Sequence, residues 1–321
     1  PSLHSAGHEQ QLATALSLQQ QLPSLSAAES LFTVATVPFA AKLNVDAAVF
    51  AHQRHACASW LAAGASKVLW IATAASALSS GFEGVQELSS SSGMGSVVLV
   101  DTVASALDVP LLSSVIAVAE QHSSTPYIAL VDPVARLLPS FGRNLNTLLA
   151  SLEQWSAPLI VSRRLDVDVS SADSLSLLPN REAAARRRLK KTALLPNVHG
   201  IDVLVWRKGA FAAAPIPPFL HGRNIWDLWL LSFALRSNWQ VIEGGNVLFS
   251  LHPSSARVVD RSVTYERNNE VALTAAREGH PVSCNQWRCA DYFLYRGRCR
   301  ALTDRSDASD LASTFCLRKK T

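Results

Sequence analysis

The sequence predicts an α/β fold, a mostly parallel sheet flanked by helices, and three observations carry that prediction. Short apolar, β-branched runs alternate with helix-length stretches of 3.6-residue periodicity through the first half of the chain. Several of those runs end on a charged residue followed by a turn, and in parallel sheets ligands bind beyond such ends. The 321 residues, 48% hydrophobic and 17% charged, are enough to bury a core of that size.

The elements follow in order. Residues 1–30, rich in Gln, Ser, Leu and Ala, read as an N-terminal stem or packing arm outside the main fold. LFTVATVPF (31–39) reads as the first strand and VDAAVFAHQRHACASWLAA (45–63) as a helix of good helix formers. KVLWIAT (67–73) is a second strand, followed by a Ser/Gly-rich loop through Gly95 and a third strand, SVVLVD (96–101). Residues 111–121 are helical, and PYIALVD (126–132) is a fourth strand ending on an acid. LNTLLASLEQW (145–155) is a helix and APLIVSRR (157–164) a strand. Residues 170–200 hold a basic helix, and IDVLVWRKGAF (201–211) is another strand and turn. Asp101, Asp132 and the group Arg163, Arg164, Asp166 thus fall at strand ends, which makes them site candidates by position.

Composition narrows the function. A net charge of +4 is too weak to argue for nucleic acid, and the cluster Arg186, Arg187, Arg188, Lys190 and Lys191 reads as a solvated face. No run of about 18 apolar residues is free of polar interruption, so no membrane span is expected. Cys284, Cys289, Cys299 and Cys316 form an even, late cluster that reads as two disulfides in an oxidising compartment. A zinc site is the competing reading, although the gap in CNQWRC is wider than the common knuckle. Cys57, in an apolar helical stretch, reads as a buried small hydrophobe.

The stretch from Ile216 to His252 is the richest in chemistry. Asp227 stands between Trp226 and Trp229 in a run otherwise made of Leu, Ile and Phe. A carboxylate taken out of water there is costly unless paired or metal-bound, so Asp227 is a site candidate. The plainer reading is an acid near a helix N-terminus, where the macrodipole favours it.

The order of these pieces resembles the nucleotide-diphospho-sugar transferase-like proteins of plants and algae, glycosyltransferases of GT-A fold. The matching pieces are TVPF (36–39), QRHACASW (53–60), VPLL (109–112), YIALVD (127–132), SRRLDVDV (162–169), GIDVLVWRKGAF (200–211), HGRNIWDLWLL (221–231) and VLFSLH (247–252). NNEVAL (268–273) and ADYFLY (290–295) are similar to the family's tail. The resemblance implies a GT-A-like nucleotide-sugar domain over 31–260 and a disulfide-bearing C-terminal extension over 261–321. It assigns Asp132 and His252 to Mn²⁺ or Mg²⁺, Asp227 to the acceptor as its base, and Arg163, Arg164, Asp166, Gly222, Arg223 and Arg54 to the donor. The implied reaction moves a sugar from a nucleotide-diphospho donor to a hydroxyl of a glycan or glycoprotein, in the secretory pathway, the Golgi lumen or outside the cell.

The chain also departs from the family's pattern. Leu130 stands where a polar partner of Asp132 is usual, Pro133 follows, Ala72 and Thr73 replace a Gly-Asp pair, and Pro253 and Ser254 follow His252. The competing reading is therefore a catalytically degenerate member, kept as a structural or carbohydrate-binding subunit of a protein partner. A dinucleotide-binding enzyme is a third class, but no G-x-G-x-x-G follows the first strand.

Overall fold

The computed structural model describes residues 30–39, 47–74, 76, 82–92, 95–152, 155, 157–167, 193–244, 247–253, 263–283, 289–296, 310–311 and 315–319. In chain order the elements are β1 (Phe32–Thr36), α1 (Ala47–Ala62), β2 (Lys67–Ile71), α2 (Phe82–Ser92), β3 (Ser96–Val100), β4 (Ser105–Ala106), β5 (Val109–Pro110), α3 (Leu112–His122), β6 (Tyr127–Val131) and β7 (Arg136–Leu137). They continue with α4 (Pro139–Ser151), β8 (Pro158–Val167), β9 (Ala193–Arg207), α5 (Trp226–Arg236), β10 (Gln240–Glu243), β11 (Phe249–Pro253), α6 (Val263–Arg277), β12 (Tyr292–Arg296), β13 (Asp310–Leu311) and β14 (Phe315–Lys319).

One sheet dominates, with strands in the order β13-β14-β12-β10-β8-β9-β6-β1-β2-β3. β3, β2, β1 and β6 run parallel, as do β8, β10 and β12, while β9 lies antiparallel between β6 and β8. The fold is mixed α/β with a large, mostly parallel central sheet flanked by helices. Strands covered on both faces read as unbroken apolar runs, and Phe32–Thr36 and Tyr127–Val131 are buried throughout.

Side chains of a strand alternate between faces, so each central strand feeds two cores. Tyr127, Ala129 and Val131 join the core under α1 and α4, whose Trp60, Phe141 and Leu145 fill it. Ile128 and Leu130 point the other way, to Leu112, Val115 and Ile116 of α3 and Trp229 to Leu231 of α5. Each fully buried Leu or Ile contributes roughly 1.5–3 kcal/mol. The buried Trp60 satisfies its indole N–H on the Ala135 carbonyl at 2.8 Å. Cys57 lies in this core, and burial pushes its thiol up to about 12, which leaves it an unreactive hydrophobe.

Several expectations are corrected. The stretch read as loop before Gly95 contains α2, whose Val85 packs into the core although the helix ends in four serines. The helix expected over 145–155 starts at Pro139, where proline suits the first helical position, and ends at Ser151. The strand expected to end at Arg164 runs on to Val167. Residues 193–200, expected as the end of a basic helix, are the first half of β9. Residues 168–192, with the basic cluster and Asp168, lie outside the described residues, as do residues 1–29. Beyond residue 260 the chain is more regular than its sequence pattern, because α6 precedes β12, which joins the main sheet parallel to β10. Among the described residues no helix is long and apolar enough to cross a membrane.

Candidate functional site

Topology brings three ionisable groups together at the end of β6. Because β9 runs antiparallel to β6, the residue after β6 meets Asp202 in the middle of β9, and the Asp132 N–H donates to the Asp202 carbonyl at 2.8 Å. β11 runs parallel to β8 with His252 opposite Asp166, which brings the imidazole alongside. His252 Nδ1 lies 3.2 Å from Asp202 Oδ2 and 4.0 Å from Asp132 Oδ1. One ligand atom from each of Asp132, Asp202 and His252 falls within 4.8 Å of the others.

The surrounding groups hold these charges. Arg164 donates from Nε to Asp166 Oδ1 at 2.7 Å and lies 3.6 Å from Asp202 Oδ1, and the Ser250 hydroxyl donates to Asp202 Oδ2 at 3.3 Å. Arg164 and Asp166 share a face because they are two residues apart, and irregular register between β8 and β9 re-aims this segment. A Cβ at Gly200 would lie 2.5 Å from Arg164 Cδ, so the glycine on β9 leaves room for the arginine to cross.

The electrostatics follow from burial and pairing. Burial disfavours the Asp202 carboxylate, but His252 and Arg164 outweigh it and hold the group below the usual carboxylate range. Burial likewise opposes the charged His252, yet Asp202 and its hydrogen bond raise the imidazole above its ordinary value. Asp132 keeps 30% of its side chain exposed and is raised, first by burial and then by the Asp202 charge. The donor set of two carboxylate oxygens and one imidazole nitrogen fits a divalent cation such as Mn²⁺ or Mg²⁺, provided His252 gives up its proton.

A second group of residues lies in the segment leading into α5. Gly222 adopts φ +74, a region open to glycine, and Ile225 adopts φ 74, which costs a β-branched residue on the order of 1–3 kcal/mol. Asn268 of α6, fully buried, braces the segment: its carboxamide accepts from Leu220 N at 2.8 Å and donates to the carbonyls of Leu220 and Asn224 at 2.9 and 3.0 Å. Asp227 then sits in the first turn of α5, its Oδ1 accepting from Leu228 N at 2.9 Å. Burial pushes its carboxyl up to about 6, and the charge of Asp202 adds to the shift. Asp227 is thus both the acid in a helix's first turn and half-buried, with a carboxyl whose desolvation is costly. His221, 4% exposed, stacks on Trp226 at 4.5 Å with neither ring nitrogen hydrogen-bonded. Burial, helped by Arg223, lowers it to about 3, so the ring is neutral.

Asp132, His252, Arg164 and Asp166 therefore share one cluster, and Asp227 lies within reach of the Asp202 field. Arg223 turns instead to the α6 hydroxyl of Thr264 at 2.8 Å, Gly222 is exposed, and Arg54 of α1 pairs with Glu87 of α2 at 3.6 Å. Arg163 pairs through its backbone with Ile201 and Phe249. Asp101 is exposed beyond β3. Trp229, the neighbour of Asp227 in sequence, belongs to the core. Asp202 and His221 were not singled out in the sequence. The signal for Asp202 was present: a lone acid in the strand IDVLVW carries the same desolvation cost that marks Asp227.

No family model and no curated protein matches the chain. Among solved structures it is similar to 4-diphosphocytidyl-2C-methyl-D-erythritolsynthase from Anaerococcus prevotii DSM 20548, at 8% identity and a TM-score of 0.37, over 75% of this chain and 98% of that one.

Proposed function

We propose that the chain is a glycosyltransferase that uses a nucleotide-diphospho-sugar and transfers the sugar to a hydroxyl of a glycan or glycoprotein. The observation that carries this reading is the Asp132, Asp202 and His252 cluster at the end of β6. Mn²⁺ or Mg²⁺ held there would neutralise the diphosphate as it leaves. Transfer breaks the bond from the anomeric carbon to the diphosphate oxygen and forms one to the acceptor oxygen, whose proton passes to Asp227. A carboxylate with a pKa of about 6 suits that task, being ionised at neutral pH and a stronger base than an exposed Asp. The late cysteines Cys284, Cys289, Cys299 and Cys316 extend the reading to disulfides and the secretory pathway.

Calorimetric titration of UDP and other nucleoside diphosphates, with and without Mn²⁺, tests the donor site. Metal-dependent binding that disappears in Asp132→Ala is expected. One observation favours the degenerate, structural-subunit reading: Asp202 is already paired with Arg164 at 3.6 Å and with the His252 ring at 3.2 Å. Absence of binding by every nucleotide would leave that reading standing and remove the transferase.

Asp227→Asn is expected to lower turnover by about 100-fold or more, the scale of a lost general base, while nucleotide binding persists. Its stability effect depends on pH. The folded pKa of about 6 lies above the ordinary 3.8, so stability from this group is present below pH 4 and lost as pH rises through 6. With partial exposure discounted, the variant should gain about 1–2 kcal/mol on the wild type between pH 4 and pH 7. Urea melts at the two pH values read it, and a constant difference between the proteins would contradict the burial assigned to Asp227.

A further inference from the structure

Arg136 is a charged group that the candidate site does not use. It stands on β7, 0% exposed, opposite Leu251 of β11. Neighbouring strand residues face opposite ways, so Arg136 lies on the Leu251 side and not on that of Ser250 and His252. Its Nη2 approaches His52 Nδ1 of α1 at 3.1 Å, while its Nε and Nη1 have no hydrogen-bond partner. Burial alone lowers this guanidinium, to about 10, and among the described residues no neighbouring charge acts on it. It is still cationic at neutral pH, and a buried cation without a counter-charge is strongly unfavourable.

To accept from the guanidinium, His52 must be neutral and spend Nδ1 on that bond. Gln53, 1% exposed and next on α1, uses Oε1 to accept from Phe39 N at 2.7 Å and leaves its Nε2 without an acceptor. Phe39 packs on Val49 and Val134, which ties this part of α1 to the segment leading into β7.

We propose that Arg136, with His52 beside it, binds a small monovalent anion of chloride size between α1 and β7. One buried cation calls for one negative charge; a phosphate dianion would leave a net charge in the interior. The inference does not depend on the transferase reading.

Thermal melts in sodium chloride and in sodium gluconate at equal ionic strength test it. The wild-type midpoint is expected to rise by about 5 °C between roughly 5 and 500 mM chloride, and to stay flat in gluconate or with added phosphate. Arg136→Met, which keeps the volume and removes the charge, is expected to lose the chloride dependence. Equal midpoints in both salts, or the same chloride response in Arg136→Met, would overturn the proposal. Should that variant fail to fold, wild-type crystals soaked in bromide decide: an anomalous peak beside the Arg136 guanidinium supports the site, and its absence there removes it.

Discussion

Replacing Asp202 by Asn is expected to abolish metal-dependent nucleotide binding and to destabilise the fold by about 3–5 kcal/mol. The substitution is isosteric, so neither packing nor the backbone bond to Asp132 is lost. What disappears is the charge facing His252 at 3.2 Å and Arg164 at 3.6 Å. Arg164 is a buried cation and His252 a buried imidazole that Asp202 holds toward its charged form, and removing one partner of a buried pair leaves an uncompensated charge, which is far costlier than never burying the pair. The His252 pKa should fall, since Asp202 is its main support. With one carboxylate left beside the imidazole, affinity for Mn²⁺ should drop by at least about 100-fold. Urea denaturation reads the first effect, calorimetric titration of UDP with Mn²⁺ the second, and a proton-detected titration of the imidazole the third. Wild-type affinity in this variant would remove the cluster from the donor site.

The part of the fold most legible in the sequence is the part where pattern and burial agree. FTVAT, KVLWI, SVVLV and YIALV are apolar because both faces of the sheet are covered, and a run of that length bounded by turn residues has few other uses. Legibility fails where a helix has only one thin apolar stripe. In α2 the packing rests on Phe82, Val85 and Leu88, and its serine-rich second half reads as loop. The start of α4 was hidden for a different reason: Leu138-Pro139 looks like a turn, yet proline at the first helical position needs no N–H donor. β9 was found only from residue 201 onward, because Pro196 and Gly200 interrupt its first half.

The site was half legible. Asp132 could be placed because a strand-end acid in a parallel sheet has a known vantage, and Asp227 because its setting makes a carboxylate expensive. Asp202 was invisible to the first argument, since it lies inside an antiparallel strand and comes to Asp132 only through the β6–β9 pairing. Nothing local to a sequence announces an antiparallel strand inserted between two parallel sets. Arg223 shows the opposite failure: its spacing from Asp227 suggests a shared site, but Gly222 and Ile225 turn the backbone so that its guanidinium meets Thr264.

Asn268→Ala should destabilise the protein by about 3–4 kcal/mol and reduce turnover by about 100-fold without touching the nucleotide site. The side chain is fully buried and serves Leu220 N, Leu220 O and Asn224 O, so truncation leaves Leu220 N and Leu220 O unmet in the interior, while Asn224 O keeps its bond from Trp226 N. Each buried unsatisfied group costs about 1–3 kcal/mol, partly relieved if water enters the space left behind. The segment released contains Ile225 at φ 74, a conformation that persists only while its surroundings impose it. Once the brace is gone the residue relaxes toward negative φ and carries the first turn of α5, with Asp227, out of position. A displacement of about 1 Å at a reacting group is enough to lose two orders of magnitude in rate. Asp132, Asp202 and His252 hang from β6, β9 and β11 and do not touch Asn268, so UDP affinity should stay within about twofold of wild type on that geometry. The division between rate and binding is the discriminating readout. Loss of both together would mean that the segment and the cluster form one mechanical unit, and retention of full turnover would mean that Asp227 does not depend on this brace.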